Sequence, residues 1–222
     1  NLCFQRRFNL KLKKKMLDKE VPYSKIPDKD LPLYHKAEEA EWKSFQDSGS
    51  VRIVTGQVVK KILETLDPRR IIQLRFVYRD KNASIRTPQN KLPIKAKARL
   101  CAQASKEPLA MEGKLKLDSP TVQRLGITIF LQHLVNFAVD NPKWFATTRN
   151  GDVSAAFLQG VKRDTESLGK IYVRPPRGRP LAGVKDGDLL EVVKSVYGLP
   201  DAPRAWWEEV TAFLREIGFQ HS

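Results

Sequence analysis

The run IIQLRFVYRD, which begins at Ile71, constrains the fold more than any other stretch of the chain. Its β-branched and aromatic residues predict a strand over 71–79. A polar turn, DKNASIRTPQNKLP, follows, and KAKARLCAQAS returns as the partner strand of a hairpin. Because the side-chain period of a strand is two, Lys95, Lys97 and Arg99 fall on one face of that partner. Such a cationic row is either a solvated edge that discourages aggregation or a surface that grips phosphate.

The flanking elements do not alternate regularly. LYHKAEEAEWKSF carries Tyr34, Ala37, Ala40 or Glu41, and Phe45 at helical spacing and ends before Gly49. A short strand over 51–54 and a helical piece, VVKKILETL, precede the stop at Asp67-Pro68. Ser119-Pro120 opens a helix that runs to about Val139. Residues 144–151 read as a strand leading to Asp152, and IYVRPP as another ended by prolines. DLLEVVKSVYGL is a hairpin or a strand that turns at Tyr197-Gly198. PRAWWEEVTAFLREIGF is a helix from Pro203 to Gly218, with Trp206, Val210, Phe213, Leu214 and Ile217 forming an apolar stripe expected in the core. Strands and helices mixed without a βαβα beat predict an α+β fold.

Charge narrows the partner class. Lys+Arg number 40 against Asp+Glu 25, a net +15. That excess favours polyanions, above all nucleic acid, through counterion release. Cys3 and Cys101 lie at no spacing suited to zinc, and Cys101 reads as a small buried thiol. The longest apolar stretch, LGITIFLQHLVNFAV, is interrupted by Gln132, His133 and Asn136, so no membrane span is expected. His133 has no partner at metal-binding spacing. Phosphate-cradling glycine loops and a nucleophile elbow are absent from the sequence. Glu38-Glu39 and Glu208-Glu209 sit on predicted helices, where neighbours diverge by about 100°, and read as solvated faces.

One acid remains. In GDVSAAFLQG, Asp152 heads a small, apolar run and reads either as a helix N-cap or as a hard ligand for Mg²⁺. Its context favours the second. DVSAAFLQG, IYVRPPRG, KSVYGLPDAPRAWW and FLREIGF, in that order, resemble the reverse transcriptase domain of copia-type retrotransposon Pol polyproteins. AEEAEWKSF, RFVYRDKN, KARLCAQ and DSPTVQ fall where that family has its entry helix, basic fingers hairpin and Ser-Pro helix start. The resemblance covers about residues 35–222.

Residues 1–33, basic and then proline-punctuated, read as an N-terminal arm, and the resemblance implies an RNA-directed DNA polymerase with a right-hand fold: fingers (34–140) and the first part of the palm (141–222). By the family's motif, Asp152 is the first catalytic carboxylate and binds Mg²⁺, with the Val153 carbonyl as a further ligand. Lys97 and Arg99 match the cations that hold the triphosphate, and Phe157 matches the aromatic that crowds the sugar 2′ carbon. The segment from Tyr197 and Gly198 through Arg204 to Trp206 would lie beside the nucleotide and template, with Lys95 also on the template–primer side. Implied partners are an RNA template, a DNA primer, deoxynucleoside triphosphates and the integrase and RNase H segments of the same polyprotein. The implied setting is intracellular, in a cytoplasmic virus-like particle or the nucleus. Two departures stand out. Asp201 holds a nucleotide-binding position usually occupied by Gln, and an ionised Asp repels phosphate. The 222 residues also contain no Asp-Asp pair, so the second metal-binding motif is missing and the chain by itself is expected to be inactive. The rival reading is a non-enzymatic nucleic-acid-binding remnant or host-adopted module.

Overall fold

In the computed structural model the described residues are 20–119, 124–145 and 151–219. The predicted hairpin is its centre. β2 (Ile71–Asp80) and β3 (Ala96–Ala102) pair antiparallel, with Phe76 opposite Leu100 and Arg79 opposite Lys97. β1 (Val51–Val54), β4 (Tyr172–Arg174) and β5 (Leu189–Val192) complete a five-stranded sheet in the order β1-β5-β4-β2-β3. β4 runs parallel to β2 and antiparallel to β5, so the sheet is mixed. The chain is therefore mixed α and β, as the irregular element order predicts.

Alternation along the strands separates two faces. Ile72, Leu74, Phe76 and Tyr78 of β2 join Ala98, Leu100 and Ala102 of β3 in the main core. Helix α1 (Leu31–Asp47) covers this face with Tyr34, Trp42 and Phe45. It begins with Pro32 in its first turn and stops at Gly49, whose φ of 63° suits a left-handed residue past a helix end. On the opposite face, Val59 and Ile62 of α2 (Gly56–Thr65) pack on Tyr172 and Leu189 of β4 and β5. By strand parity that second face continues across the hairpin as Arg75, Val77, Arg79, Lys97, Arg99 and Cys101, where Arg79 and Arg99 are exposed. Cys101 is half-buried there rather than in the core, and burial holds its thiol above the usual range although Arg99 opposes the shift.

β3 is an edge strand, and its outward N–H groups need partners. The Leu100 N–H donates to Glu41 Oε1 at 3.2 Å, and the Ala102 N–H donates to the Tyr197 carbonyl at 2.7 Å. A helix side chain and a loop carbonyl thus close the edge. The proline-punctuated segment before α1 docks on the sheet as well: the Val21 N–H bonds the Tyr78 carbonyl at 2.9 Å and Ile26 is buried. Glu38 is not on a solvated face. It takes a fork from Arg179, at 2.7 and 2.8 Å to its two oxygens, and a short hydrogen bond from the Tyr78 hydroxyl.

Two local expectations change. After α4 (Arg124–Asp140), Pro142–Phe145 forms a helical turn, α5, rather than the start of a strand, because the Asn141 N–H continues the helical pattern to Phe137 at 2.9 Å. Residues 146–150, Pro120–Gln123 at the predicted helix start, and Cys3 lie outside the described residues. The second change concerns α6 (Ala202–Glu216), which has Pro203 in its first turn and Gly218 just past its end, as predicted. Its stripe, however, is not core: Phe213, Leu214 and Ile217 are exposed and Trp206 and Val210 are only partly buried. α3 (Pro108–Met111) is a single turn capped by the Glu107 side chain, which accepts from the Ala110 N–H at 2.7 Å.

Candidate active site

At the outer edge of β3, α1, the 151–157 loop and Tyr197 converge on a cleft of 380 Å³. Lys97 and Arg99 enter it from β3, Glu41 and Ser44 from α1, and Lys81 from the turn after β2. Asp152, Val153, Phe157 and Tyr197 line the rest. A second opening of 730 Å³ shares Lys81, Lys97 and Arg99 and extends along Val77 and Arg79 on the open sheet face. The cations therefore form a continuous surface from the cleft onto the hairpin.

Each side chain is held by something identifiable. Phe157 and Tyr197 pack with ring centroids 5.4 Å apart, and the Arg99 guanidinium lies 4.7 Å from the Tyr197 ring centre. That cation–π contact braces the Arg99 head, which makes no hydrogen bond or ion pair among the described residues. Burial keeps the Tyr197 phenol above its ordinary range, reinforced by Glu41 and opposed by Arg99, so it stays a neutral donor. Glu41, although buried, has both oxygens engaged: one accepts from Leu100 and the other lies 3.6 Å from the Lys97 ammonium. The loop that carries Asp152 is anchored behind by Leu158, which is fully buried and whose carbonyl accepts from Ser50 Oγ at 3.1 Å. Ala155 turns the chain with φ 52°, a left-handed conformation that costs a non-glycine residue about 1 kcal/mol.

Asp152 is not a helix cap. Only a 3-10 turn, Ala156–Gln159, follows it, and Ala155 precedes that turn. The Asp152 carboxylate is exposed and makes no hydrogen bond or ion pair among the described residues. Glu41 being engaged, Asp152 is the one carboxylate of the cleft free to accept a hard cation, with the Val153 carbonyl beside it. No three His, Cys, Asp or Glu side chains come together among the described residues. The donor set fits one ligand position for Mg²⁺, which takes one or two carboxylates and completes its shell with waters and substrate phosphates. It does not make a complete site for two ions.

The remaining predicted residues lie elsewhere. Lys95 is exposed just before β3, with its N–H donating to Asp80 at 3.0 Å. Gly198, with φ 90°, presses on β3 so closely that a Cβ would stand 2.1 Å from the Ala102 carbonyl oxygen. Asp201 is turned away from the cleft and ion-paired with Arg163 in a separate cavity. Arg204 bonds Glu208 at 2.7 Å and Asp118 at 2.8 Å and lies 4.4 Å from the Trp207 ring centre, so Trp207 rather than Trp206 is its aromatic partner. Lys81 and Arg79 were not singled out from the sequence, and Glu41 only as a position of the helix stripe. The register opposite Lys97 carried a signal for Arg79, and an acid on that stripe carried one for Glu41.

Fold and cleft together define a mixed α/β protein that gathers arginine and lysine around one free carboxylate. Residues 57–222 match the family described as Reverse transcriptase (RNA-dependent DNA polymerase), and the chain belongs to that family. It is similar to the retrovirus-related Pol polyproteins from transposons RE2 and RE1 of Arabidopsis thaliana, 35% identical over 108 and 104 residues. Those matches cover 47% of this chain and 6% of each relative. Similarity to the Pol polyprotein from transposon TNT 1-94 of Nicotiana tabacum extends over 180 residues at 26% identity, 81% of this chain and 11% of the relative. The chain thus spans a small part of the curated relatives it matches. No solved structure matches it. The resemblance drawn from DVSAAFLQG and YGLPDAPRAWW is borne out as a reverse transcriptase domain of a Pol polyprotein. Among the described residues no helix is long and apolar enough to cross a membrane.

Proposed function

We propose that the chain carries the fingers (34–140) and the first part of the palm (141–222) of a right-hand reverse transcriptase, and that the 380 Å³ cleft receives the incoming deoxynucleoside triphosphate. The observation that carries this reading is the convergence of Lys97, Arg99, Asp152, Phe157 and Tyr197 on that one cleft. Arg99 binds phosphate oxygens with its planar fork, braced by the Tyr197 ring, and Lys97 adds a point charge. Phe157, braced against Tyr197, crowds the sugar and favours the deoxy form. Asp152 with the Val153 carbonyl would hold Mg²⁺, which supplies Lewis-acid activation of the primer 3′ oxygen and of the leaving pyrophosphate. RNA template, DNA primer and the other Pol segments are the proposed partners.

With no Asp-Asp pair in its sequence, the 222-residue chain is proposed not to extend a primer. In a longer chain that includes an aromatic-x-Asp-Asp turn, Asp152→Ala should abolish primer extension and leave template–primer binding unchanged or tighter. Extension that survives the substitution would sink the assignment. Binding without catalysis is favoured by the net +15 and the exposed Arg79 and Arg99 on the hairpin. It predicts salt-sensitive binding of nucleic acid and no synthesis in the longer chain.

A further inference from the structure

Away from that cleft, a cavity of 410 Å³ lies between the 161–168 loop and the start of α6. Arg163 and Asp201 pair across it, and the Arg163 side chain is only 2% exposed. That pair uses one guanidinium nitrogen and one carboxylate oxygen. Arg163 Nε and Nη2, Ser195 Oγ and Asp201 Oδ1 are all buried without a hydrogen-bond partner. Six such side-chain atoms occur among the described residues, and four of them belong to residues lining this cavity. Buried polar atoms are paired in the large majority of cases, so a cluster of four calls for a missing partner.

The chemistry of the orphans defines that partner. Nε and Nη2 form one edge of the guanidinium, two parallel donors that match two oxygens of an oxyanion. Ser195 Oγ supplies a third donor. Among the other acids of the lining, Glu208 is bonded to Arg204 and Asp164 to Ser167. Lys116 and Lys162 stand at the cavity with no ion-pair partner among the described residues and add unspent positive charge. Asp201 Oδ1 is an acceptor and would reject a fully deprotonated anion. A phosphate that keeps one proton satisfies it, because its P–OH donates to Oδ1 while its other oxygens accept from Arg163 and Ser195.

We propose that this cavity is a binding site for a protonated phosphate, either free inorganic phosphate or the terminal monoester of a nucleic-acid strand. It does not depend on Asp152. The test titrates the 222-residue chain with inorganic phosphate and with sulfate at constant ionic strength near pH 6, following tryptophan fluorescence beside Arg204. Saturable phosphate binding is expected, with sulfate, which carries no proton, weaker by about tenfold or more. Arg163→Lys keeps the charge opposite Asp201 but loses the fork and should weaken phosphate about tenfold. The surface pair Lys116→Gln/Lys162→Gln, remote from the core, should weaken it without unfolding the chain, and Asp152→Ala should leave it unchanged. An oligonucleotide with a 5′ phosphate that outcompetes its 5′-hydroxyl counterpart identifies a strand terminus as the source, failure of both to compete identifies free phosphate, and equal competition by both, since a phosphodiester carries no P–OH, would count against the proposal. Sulfate binding as tightly as phosphate, no saturable binding of either, or phosphate affinity untouched in both variants would overturn the proposal.

Discussion

At the scale of single residues, the cleft depends on how closely its loops approach the edge of β3. Gly198 is the tightest point. A side chain there would both occupy φ 90° and overlap the Ala102 carbonyl, 2.1 Å from the added Cβ. Relief would require the Tyr197 carbonyl to withdraw from the Ala102 N–H, which it now accepts at 2.7 Å. Gly198→Ala should therefore cost about 2–4 kcal/mol, a left-handed penalty plus the lost edge hydrogen bond and displaced packing. Denaturant unfolding gives the number. Displacement of Tyr197 would also remove the surface under Arg99, so nucleotide affinity should fall together with stability. A destabilisation below about 0.5 kcal/mol would show that the loop does not press on the strand as described.

At the scale of elements, the hairpin turn is organised by one acid. Asp80 ends β2, and its carboxylate accepts from the Asn82 N–H at 3.0 Å, the Lys95 N–H at 3.0 Å and Arg86 at 2.7 Å. Burial alone would raise its pKa, but these donors outweigh it and hold the carboxyl below the usual range. A carboxylate depressed in the folded state contributes stability above its unfolded pKa, near 3.9, and that contribution disappears as pH falls through the folded value. Loosening of residues 81–95 is therefore expected below about pH 4 and not on the alkaline side. Hydrogen exchange of the turn amides as a function of pH would show it, and Asp80→Asn should produce the same loosening at neutral pH, worth about 1–3 kcal/mol. Protection factors of the turn amides that stay constant from pH 3 to 7 in the unmodified chain would refute the role.

This hairpin also shows what the sequence made legible. Alternation along IIQLRFVYRD and KAKARLCAQAS sufficed for both strands and for their pairing, because a strand's burial pattern is written at every second residue. The prolines and glycines that bound α1 and α6 were equally local. What escaped were pairings set by tertiary approach: Glu38 with Arg179, 141 positions apart, and Arg163 with Asp201, 38 apart. No local period marks such contacts. Residues 144–145 read as a strand because Trp and Phe are common there, while the preceding helix in fact continues its hydrogen bonding. The cleft itself was legible only through ordered motifs, since Asp152 alone is indistinguishable from a cap.

At the scale of the whole molecule, two helices carry apolar surface that nothing described covers. None of the α4 side chains is buried, and Leu125, Ile129, Phe130 and Val139 are each at least 59% exposed. Phe213, Ile217 and Phe219 extend the same character at the end of α6. Contiguous apolar surface of this kind drives association in water, whereas a net charge of +15 drives copies apart. The two forces respond oppositely to salt. Screening shortens the range of the repulsion to about 8 Å at physiological ionic strength and leaves apolar attraction intact. Self-association of the isolated chain, measured by sedimentation, should therefore increase with added salt, while its affinity for nucleic acid decreases over the same range. Phe130→Glu with Phe213→Glu should suppress the association without changing the unfolding free energy by more than about 0.5 kcal/mol, since neither side chain contributes to the core. Salt that weakened both processes together would mean that copies are held by ion pairs, and the apolar faces of α4 and α6 would then not be the cause.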